Sequence, residues 1–210
     1  MNLLIPSSGR RYLHIKNFKE CKGVNKVITT DIDIYSPGIH AADKCYSVPR
    51  IDDENYVPIL LEICDKEKID AVIPLLDADI LILSRRRELF EEKGIKLLIS
   101  SKEMVEISMD KLATSKFLVA NGLPSPITIL SSELEKKILN FPMLMKPRFP
   151  YLRVKSGYDI SIITNNNELK KALKAVEGNE ENYVLQEYLT GKELSIDFFC
   201  DDDGNYLIDV

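Results

Sequence analysis

Residues 1–33, MNLLIPSSGRRYLHIKNFKECKGVNKVITTDID, decide the fold. An apolar run at 2–5 leads into a polar turn, PSSGRR at 6–11. Helix-like spacing then covers 12–21, Gly23 stops it, and a second apolar run follows at 26–30. Strand, turn, helix and strand in that order form the repeating unit of a parallel sheet, because parallel neighbours need a crossover long enough to bring the chain back to the same edge.

The same alternation continues outward to about residue 100. A loop with Pro37 and Gly38 precedes an extended piece at 45–48. Asp52 or Asp53 then caps a helix in which Tyr56, Ile59, Leu60 and Ile63 recur at near-helical spacing. The next strand, 71–76, is continuously apolar, as strands covered on both faces are. A helix from about 80 to 92 ends at Gly94, and a strand at 95–99 closes the unit.

Beyond Ser101 the pattern changes. Two helices at 102–107 and 111–121 end at Gly122, and Pro124 and Pro126 force an extended linker. A helix from Ser131 or Ser132, a strand at 142–146, an irregular loop, a strand at 160–164 and a helix at 167–176 form a smaller α+β unit. The remainder reads as a strand and a hairpin turned by Asp203-Gly204. The expected division is 1–100, a parallel α/β domain; 101–180, a second unit with its linker helices; and 181–210, the start of a further subdomain.

Composition narrows the class. The net charge of −5 argues against a nucleic-acid binder that works by neutralising phosphates. No stretch has the apolar length to span a bilayer, which argues against a membrane role. The amino terminus reads as a strand rather than a signal peptide. Cys21, Cys45, Cys64 and Cys200 lie far apart with no CxxC pair, which fits a reducing cytoplasm rather than a disulfide framework or a zinc site.

Several residues stand where chemistry is possible. The turn containing Ser7, Ser8, Gly9 and Arg10 lies between a strand and a helix, where backbone N–H groups favour anions. Its single glycine does not make a dinucleotide fingerprint, and Arg10 and Arg11 would look the same as solvated surface charges. Asp31 and Asp77 follow two predicted parallel strands, at the rim where open α/β sheets bind ligands, although Asp is also favoured there for capping alone. Lys146 ends the apolar strand PMLMK and needs an anion or solvent. Spacing alone does not make a site of Glu187 and Glu193.

The order of three segments carries more. MDKLATSKFLVANGLPSP at 109–126, FPMLMKPR at 141–148 and YVLQEYLTGKELSIDFF at 183–199 resemble successive signature segments of the ATP-grasp enzymes, in particular proteins like the carbamoyl-phosphate synthase large subunit. LLIPSSGRR at 3–11, AADKCYSVP at 41–49 and DAVIPLLDAD at 70–79 resemble that group's pre-ATP-grasp domain. The resemblance implies a parallel-sheet pre-ATP-grasp domain followed by a partial α+β ATP-grasp domain. It assigns Lys111, Lys146 and Arg148 to nucleotide phosphates, with Lys146 also near adenine. Glu187 is assigned to the adenine amino group, the Leu189 backbone to the adenine edge, and Glu193 to the ribose hydroxyls. Ser8, Gly9, Arg10, Asp31 and Asp77 are expected on the substrate side.

Two departures stand beside it. The family's glycine-rich phosphate loop is replaced by a stretch whose one glycine is Gly157 and whose charges are Arg148, Arg153 and Lys155. The family's magnesium-binding acidic residues are expected beyond residue 210, so the chain is expected to be incomplete and inactive alone. The resemblance implies ATP and Mg2+ as cofactors, a small-molecule carboxylate and a nucleophile as partners, and an acylphosphate intermediate. An open apolar edge through Phe198, Phe199 and Leu207 suggests a homodimer. A carboxylate–amine ligase is the first reading. A non-catalytic nucleotide-binding or regulatory module is the second, and an α/β ligand-binding domain without ATP the third.

Overall fold

The computed structural model describes residues 1–136, 140–150, 160–196, 198–201 and 204–209. The expected loop charges Arg153 and Lys155, Gly157 and the hairpin residue Asp203 lie outside them, as do the side chains of Phe198, Phe199 and Leu207.

Five parallel strands form the first sheet: β1 (Asn2–Ile5), β2 (Lys26–Asp31), β3 (Lys44–Ser47), β4 (Ala71–Val72) and β5 (Lys96–Leu97), in the order β3-β2-β1-β4-β5. Helix α1 (Tyr12–Glu20) and a 3-10 turn at Pro37–Ala41 lie on one side. Leu3, Ile5, Ile15, Val27, Ala41 and Ala71 form the core there. Helices α2 (Tyr56–Glu67), α3 (Asp77–Ser84) and α4 (Arg87–Glu91) cover the other side, over Leu4, Ile28, Leu60, Val72, Leu83 and Phe90. Because adjacent strand residues face opposite ways and both faces are covered, the inner strands are buried without interruption, at 3–5 in β1 and at 27–31 in β2, where Thr29 and Thr30 are buried beside the apolar Val27 and Ile28.

The alternation is as read, with three differences, of which the first is that α2 starts after Asn55 and has no side-chain cap from Asp52 or Asp53. Only Ala71–Val72 of the 71–76 run forms a strand, since Pro74 has no N–H to give and the chain turns away after Ile73 bonds to the Leu4 carbonyl at 2.9 Å. The helix expected over 80–92 is two helices, with α3 already beginning at Asp77.

At the amino-terminal edge of this sheet Glu67 is buried, its side chain 7% exposed. It accepts from Lys26 Nζ at 2.8 Å, from Lys44 Nζ at 2.6 Å and from the Tyr46 hydroxyl. These donors pull its carboxyl down to about 2. The folded value is below the unfolded one, so the stabilisation is present above about pH 4.5 and is lost as pH falls from there toward 2. Glu67→Gln should lower stability by about 1–3 kcal/mol at pH 7 and flatten the acid limb of urea midpoints measured between pH 7 and pH 3. An unchanged acid limb would show that the cluster does not titrate with folding.

Helices α5 (Lys102–Met109) and α6 (Lys111–Ala120) connect to the second sheet. Ser101 caps α5 by accepting from Met104 N, and Asp110 caps α6 by accepting from Leu112 N. Four antiparallel strands follow in the order β6-β9-β7-β8: β6 (Thr128–Leu130), β7 (Met143–Pro147), β8 (Ser161–Ile163) and β9 (Tyr183–Glu187). One face packs Ile129, Met143, Met145, Ile163, Tyr183 and Leu185 against α7 (Asn166–Ala175), whose Leu169 and Ala172 are buried. The linker expected to be merely extended thus becomes a sheet strand, β6. The helix expected from Ser131 is a 3-10 segment, Ser131–Lys136. A separate two-stranded pair, β10 (Phe198–Cys200) and β11 (Tyr206–Asp209), is the expected hairpin. Among the described residues no helix is long and apolar enough to cross a membrane.

Candidate functional site

Two places gather polar side chains against the direction of burial. The first is the carboxyl rim of the parallel sheet. The strand order reverses its winding between β1 and β4, and open α/β sheets hold ligands just outside such a reversal. The turn after β1 fills this place. Ser7 and Gly9 have left-handed backbone, φ 48° and 49°, which folds the turn back over the strand ends. Gly38 approaches so closely that a Cβ on it would lie 2.8 Å from Ser8 Cβ and from the Ser8 carbonyl oxygen. Only glycine fits there without moving the turn.

Asp31, 7% exposed, organises this rim. It accepts from Gly9 N at 2.6 Å, Ser8 Oγ at 3.3 Å, Ser36 Oγ at 3.1 Å and Asp33 N at 3.0 Å. Four protein donors make it a fastening for the turn, and they bring Ser8 and Gly9 together with it as expected. The other two expected residues do not join them. Arg10 is exposed, whereas Arg11 turns inward and donates to the carbonyls of Leu75 at 2.6 Å and Ser7 at 3.3 Å. Asp77 is exposed as the first residue of α3, not at a strand end. Two positions on, Asp79 is fully buried; the Tyr56 hydroxyl donates to its Oδ1, while its Oδ2 has no hydrogen-bond partner among the described residues. Burial raises the Asp79 pKa, against the opposing hydrogen bonds from Tyr56 and Ser7 and the charge of Arg11. Burial raises the Tyr56 pKa too, and Asp79 adds to it. Sequence reading missed Arg11, Gly38, Tyr56 and Asp79. A charged residue at the buried phase of an apolar helix, as Asp79 is in DADILILS, was the available signal.

The second place is the junction of α6 with the antiparallel sheet. Lys111 N donates to the Arg148 carbonyl at 3.1 Å, joining the start of α6 to the end of β7. Arg148 makes a bidentate pair with Asp110, Nε to Oδ1 at 2.9 Å and Nη2 to Oδ2 at 2.6 Å, and its guanidinium lies 5.0 Å from the Phe149 ring centroid. Burial works to raise the Asp110 pKa, but the bonds from Arg148 and from the α6 backbone hold it below the usual carboxylate range. A cleft of about 310 Å³ lies alongside, lined by Leu81, Arg85, Glu106, Met109, Asp110 and Phe149. Arg85 and Glu106 pair across it at 3.3 Å.

Lys146 is half-buried on the sheet face away from α7, and its Nζ donates to Gln186 Oε1 at 2.6 Å. Among the described residues it has no carboxylate partner. Desolvation holds its pKa below that of an ordinary lysine. Glu187 is exposed at the end of β9, opposite Met143, with Oε2 accepting from Ile127 N at 3.2 Å. Strand alternation puts it on the other face from Lys146, about 10 Å further along. Leu189 is 63% exposed and Glu193 is exposed. The fold therefore unites Lys111, Asp110 and Arg148 at one end, while Lys146 meets Gln186 and not Glu187.

Comparison with known proteins adds to this geometry. Residues 3–98 match the family described as the PylC-like N-terminal domain. The carbamoyl phosphate synthase large chain of Agathobacter rectalis is 25% identical over 183 residues, covering 84% of this chain and 15% of that one. The crystal structure of the L-amino acid ligase of Bacillus licheniformis superposes with a TM-score of 0.77 at 20% identity, covering 98% of this chain and 50% of that one. N5-carboxyaminoimidazole synthetase of Staphylococcus aureus complexed with ADP gives 0.75 at 20%, covering 99% and 53%. The chain thus spans about half the length of these two enzymes, and far less of the large chain.

Proposed function

We propose, from the premise that this chain has the ATP-grasp fold and resembles the carbamoyl-phosphate synthase large chain, that it supplies the nucleotide-holding part of a cytoplasmic ATP-dependent carboxylate–amine ligase. Lys146 carries the reading. It is a half-buried ammonium on the sheet face away from α7, bonded to a neutral amide, with no carboxylate beside it among the described residues. A cation held at that loss of solvation suits an anion that arrives later, and a triphosphate is such an anion. ADP in the synthetase of similar fold supports a nucleotide as that anion.

By similarity, Lys111 is assigned to the phosphates, Glu187 to the adenine amino group, the Leu189 backbone to the adenine edge and Glu193 to the ribose. Arg148 would reach phosphate only by leaving Asp110, so in this reading it anchors α6 and with it Lys111. Ser8 and Gly9, held by Asp31, form the substrate side, and the exposed Arg10 and Asp77 are assigned to it by similarity alone.

In the proposed reaction a carboxylate oxygen attacks the γ-phosphorus of ATP, and ADP leaves with the bonding pair of the bridging oxygen. The amine nitrogen attacks the acyl carbon of the acylphosphate and gives up a proton, and phosphate departs. Binding and orientation are this chain's share, and they are most of what phosphoryl transfer asks of a protein. The resemblance also implies Mg2+, which when bound neutralises phosphate charge. Among the described residues no group of three or more His, Cys, Asp or Glu side chains is placed to hold a metal, so no step here is routed through it.

Calorimetric titration with ATP, with backbone amides followed in heteronuclear spectra, tests the reading. Saturable binding should move the amides of Lys146, Glu187 and Leu189 together, and an added carboxylate substrate should move Ser8 and Gly9. ADP release that requires both a carboxylate and an amine supports the ligase. Saturable binding without ADP release across a panel of amino acids favours a non-catalytic nucleotide-binding module, and absence of ATP binding overturns both.

A further inference from the structure

The face of the antiparallel sheet away from α7 carries a hydrogen-bonded chain across three strands. Thr128 on β6 is the register partner of Gln186 on β9, and Gln186 lies diagonal to Lys146 on β7, whose own register partner is Val184. Thr128 Oγ1 donates to the Pro126 carbonyl at 2.9 Å. A hydroxyl has one proton, so with that proton committed Thr128 can only accept from Gln186, whose Nε2 lies 2.7 Å away. This decides which end of the amide is nitrogen. The other end, Oε1, is left facing Lys146 Nζ at 2.6 Å.

We propose that Gln186 is a positioning residue for nucleotide binding: it holds the Lys146 ammonium on the sheet face away from α7 through a neutral acceptor, so that the whole positive charge remains available to the phosphates, and Thr128 fixes the direction of its amide. The inference rests on the reading of Lys146 as a phosphate contact. The neutrality of the acceptor is what matters. A carboxylate here would make the same hydrogen bond and cancel the charge that the phosphates need. An apolar side chain would leave the ammonium without an acceptor where burial already disfavours it. An amide on β9, itself oriented from β6, is the group that avoids both.

Gln186→Glu and Gln186→Leu separate these demands. Each variant is measured for ATP affinity by calorimetry, for melting temperature, and for the Lys146 ammonium signal in 15N-lysine spectra of the nucleotide-free protein. Gln186→Glu should keep its melting temperature and a hydrogen-bonded Lys146 signal, yet bind ATP about tenfold more weakly. Gln186→Leu should weaken ATP roughly three- to tenfold and lose the protected Lys146 signal. Thr128→Val, which frees the amide to turn, should show a smaller loss in the same direction. If both Gln186 variants bind ATP like the parent while Lys146→Ala does not, Gln186 has no positioning role and Lys146 keeps its own. If Lys146→Ala binds ATP like the parent, the phosphate reading of Lys146 fails first. An affinity loss that only tracks a lowered melting temperature would make Gln186 a structural residue and overturn the inference.

Discussion

Lys146→Ala is expected to weaken ATP binding roughly tenfold or more, while Lys170→Ala leaves it unchanged. The two lysines have the same chemistry and differ in setting. Lys146 is half-buried on β7 with its Nζ bonded to Gln186, so most of its solvation is already lost before any ligand arrives. Lys170 is exposed on α7 and fully hydrated. A charge-assisted bond contributes about 1.5–3 kcal/mol, and a site that has already surrendered water gains nearer the upper figure from an anion. Raising the salt concentration should narrow the difference only slightly, since a half-buried charge is screened less than an exposed one. Equal calorimetric affinities for the two variants would remove Lys146 from the site.

Asp110→Ala should have the largest effect on stability, a loss of about 3–5 kcal/mol. The Asp110 side chain is 12% exposed and that of Arg148 24%, so the bidentate pair between them is largely out of water. Removing the carboxylate takes the bidentate acceptor from the guanidinium and uncaps α6, because Oδ1 also accepts from Leu112 N at 2.9 Å. Lys111 would lose its footing as well, since the pair clamps the α6 start to the end of β7. Asp110→Asn keeps an oxygen for the cap while discarding the charge, and should fall between the two. Urea unfolding of the three proteins measures this, and a loss below about 1 kcal/mol for the alanine variant would mean that solvent readily replaces the pair.

The two sheets differed in how plainly they could be read. The parallel sheet was legible because its inner strands β1, β2 and β4 are buried and begin as short apolar runs, with turns and helical segments between them. The antiparallel sheet packs its apolar core on the α7 face while the other mixes polar and apolar residues, and β6 is so short that Thr128–Leu130 passes for linker until its pairing with β9 is known. Local signals also misplaced the break between α3 and α4. A helical pattern over 80–92 contains nothing that forbids one helix, and the interruption at Arg85 and Arg86 follows from packing.

The candidate site divides along the same physical line. Residue types and their order were sufficient for the parallel α/β unit, for a lysine at the end of the apolar strand β7 and for the resemblance to ATP-grasp enzymes, since all of these are properties of short segments. Tertiary structure decided what each charge faces. It committed Arg148 to Asp110, turned Arg11 inward and Arg10 outward, buried Asp79 in place of Asp77, brought Gly38 against Ser8, and set Gln186 beside Lys146. Each of these pairings joins residues distant in the chain or depends on which side of a turn or helix is covered. A one-residue or two-residue change of phase exchanges the buried and exposed members of such a pair, and only the packed neighbours fix that phase.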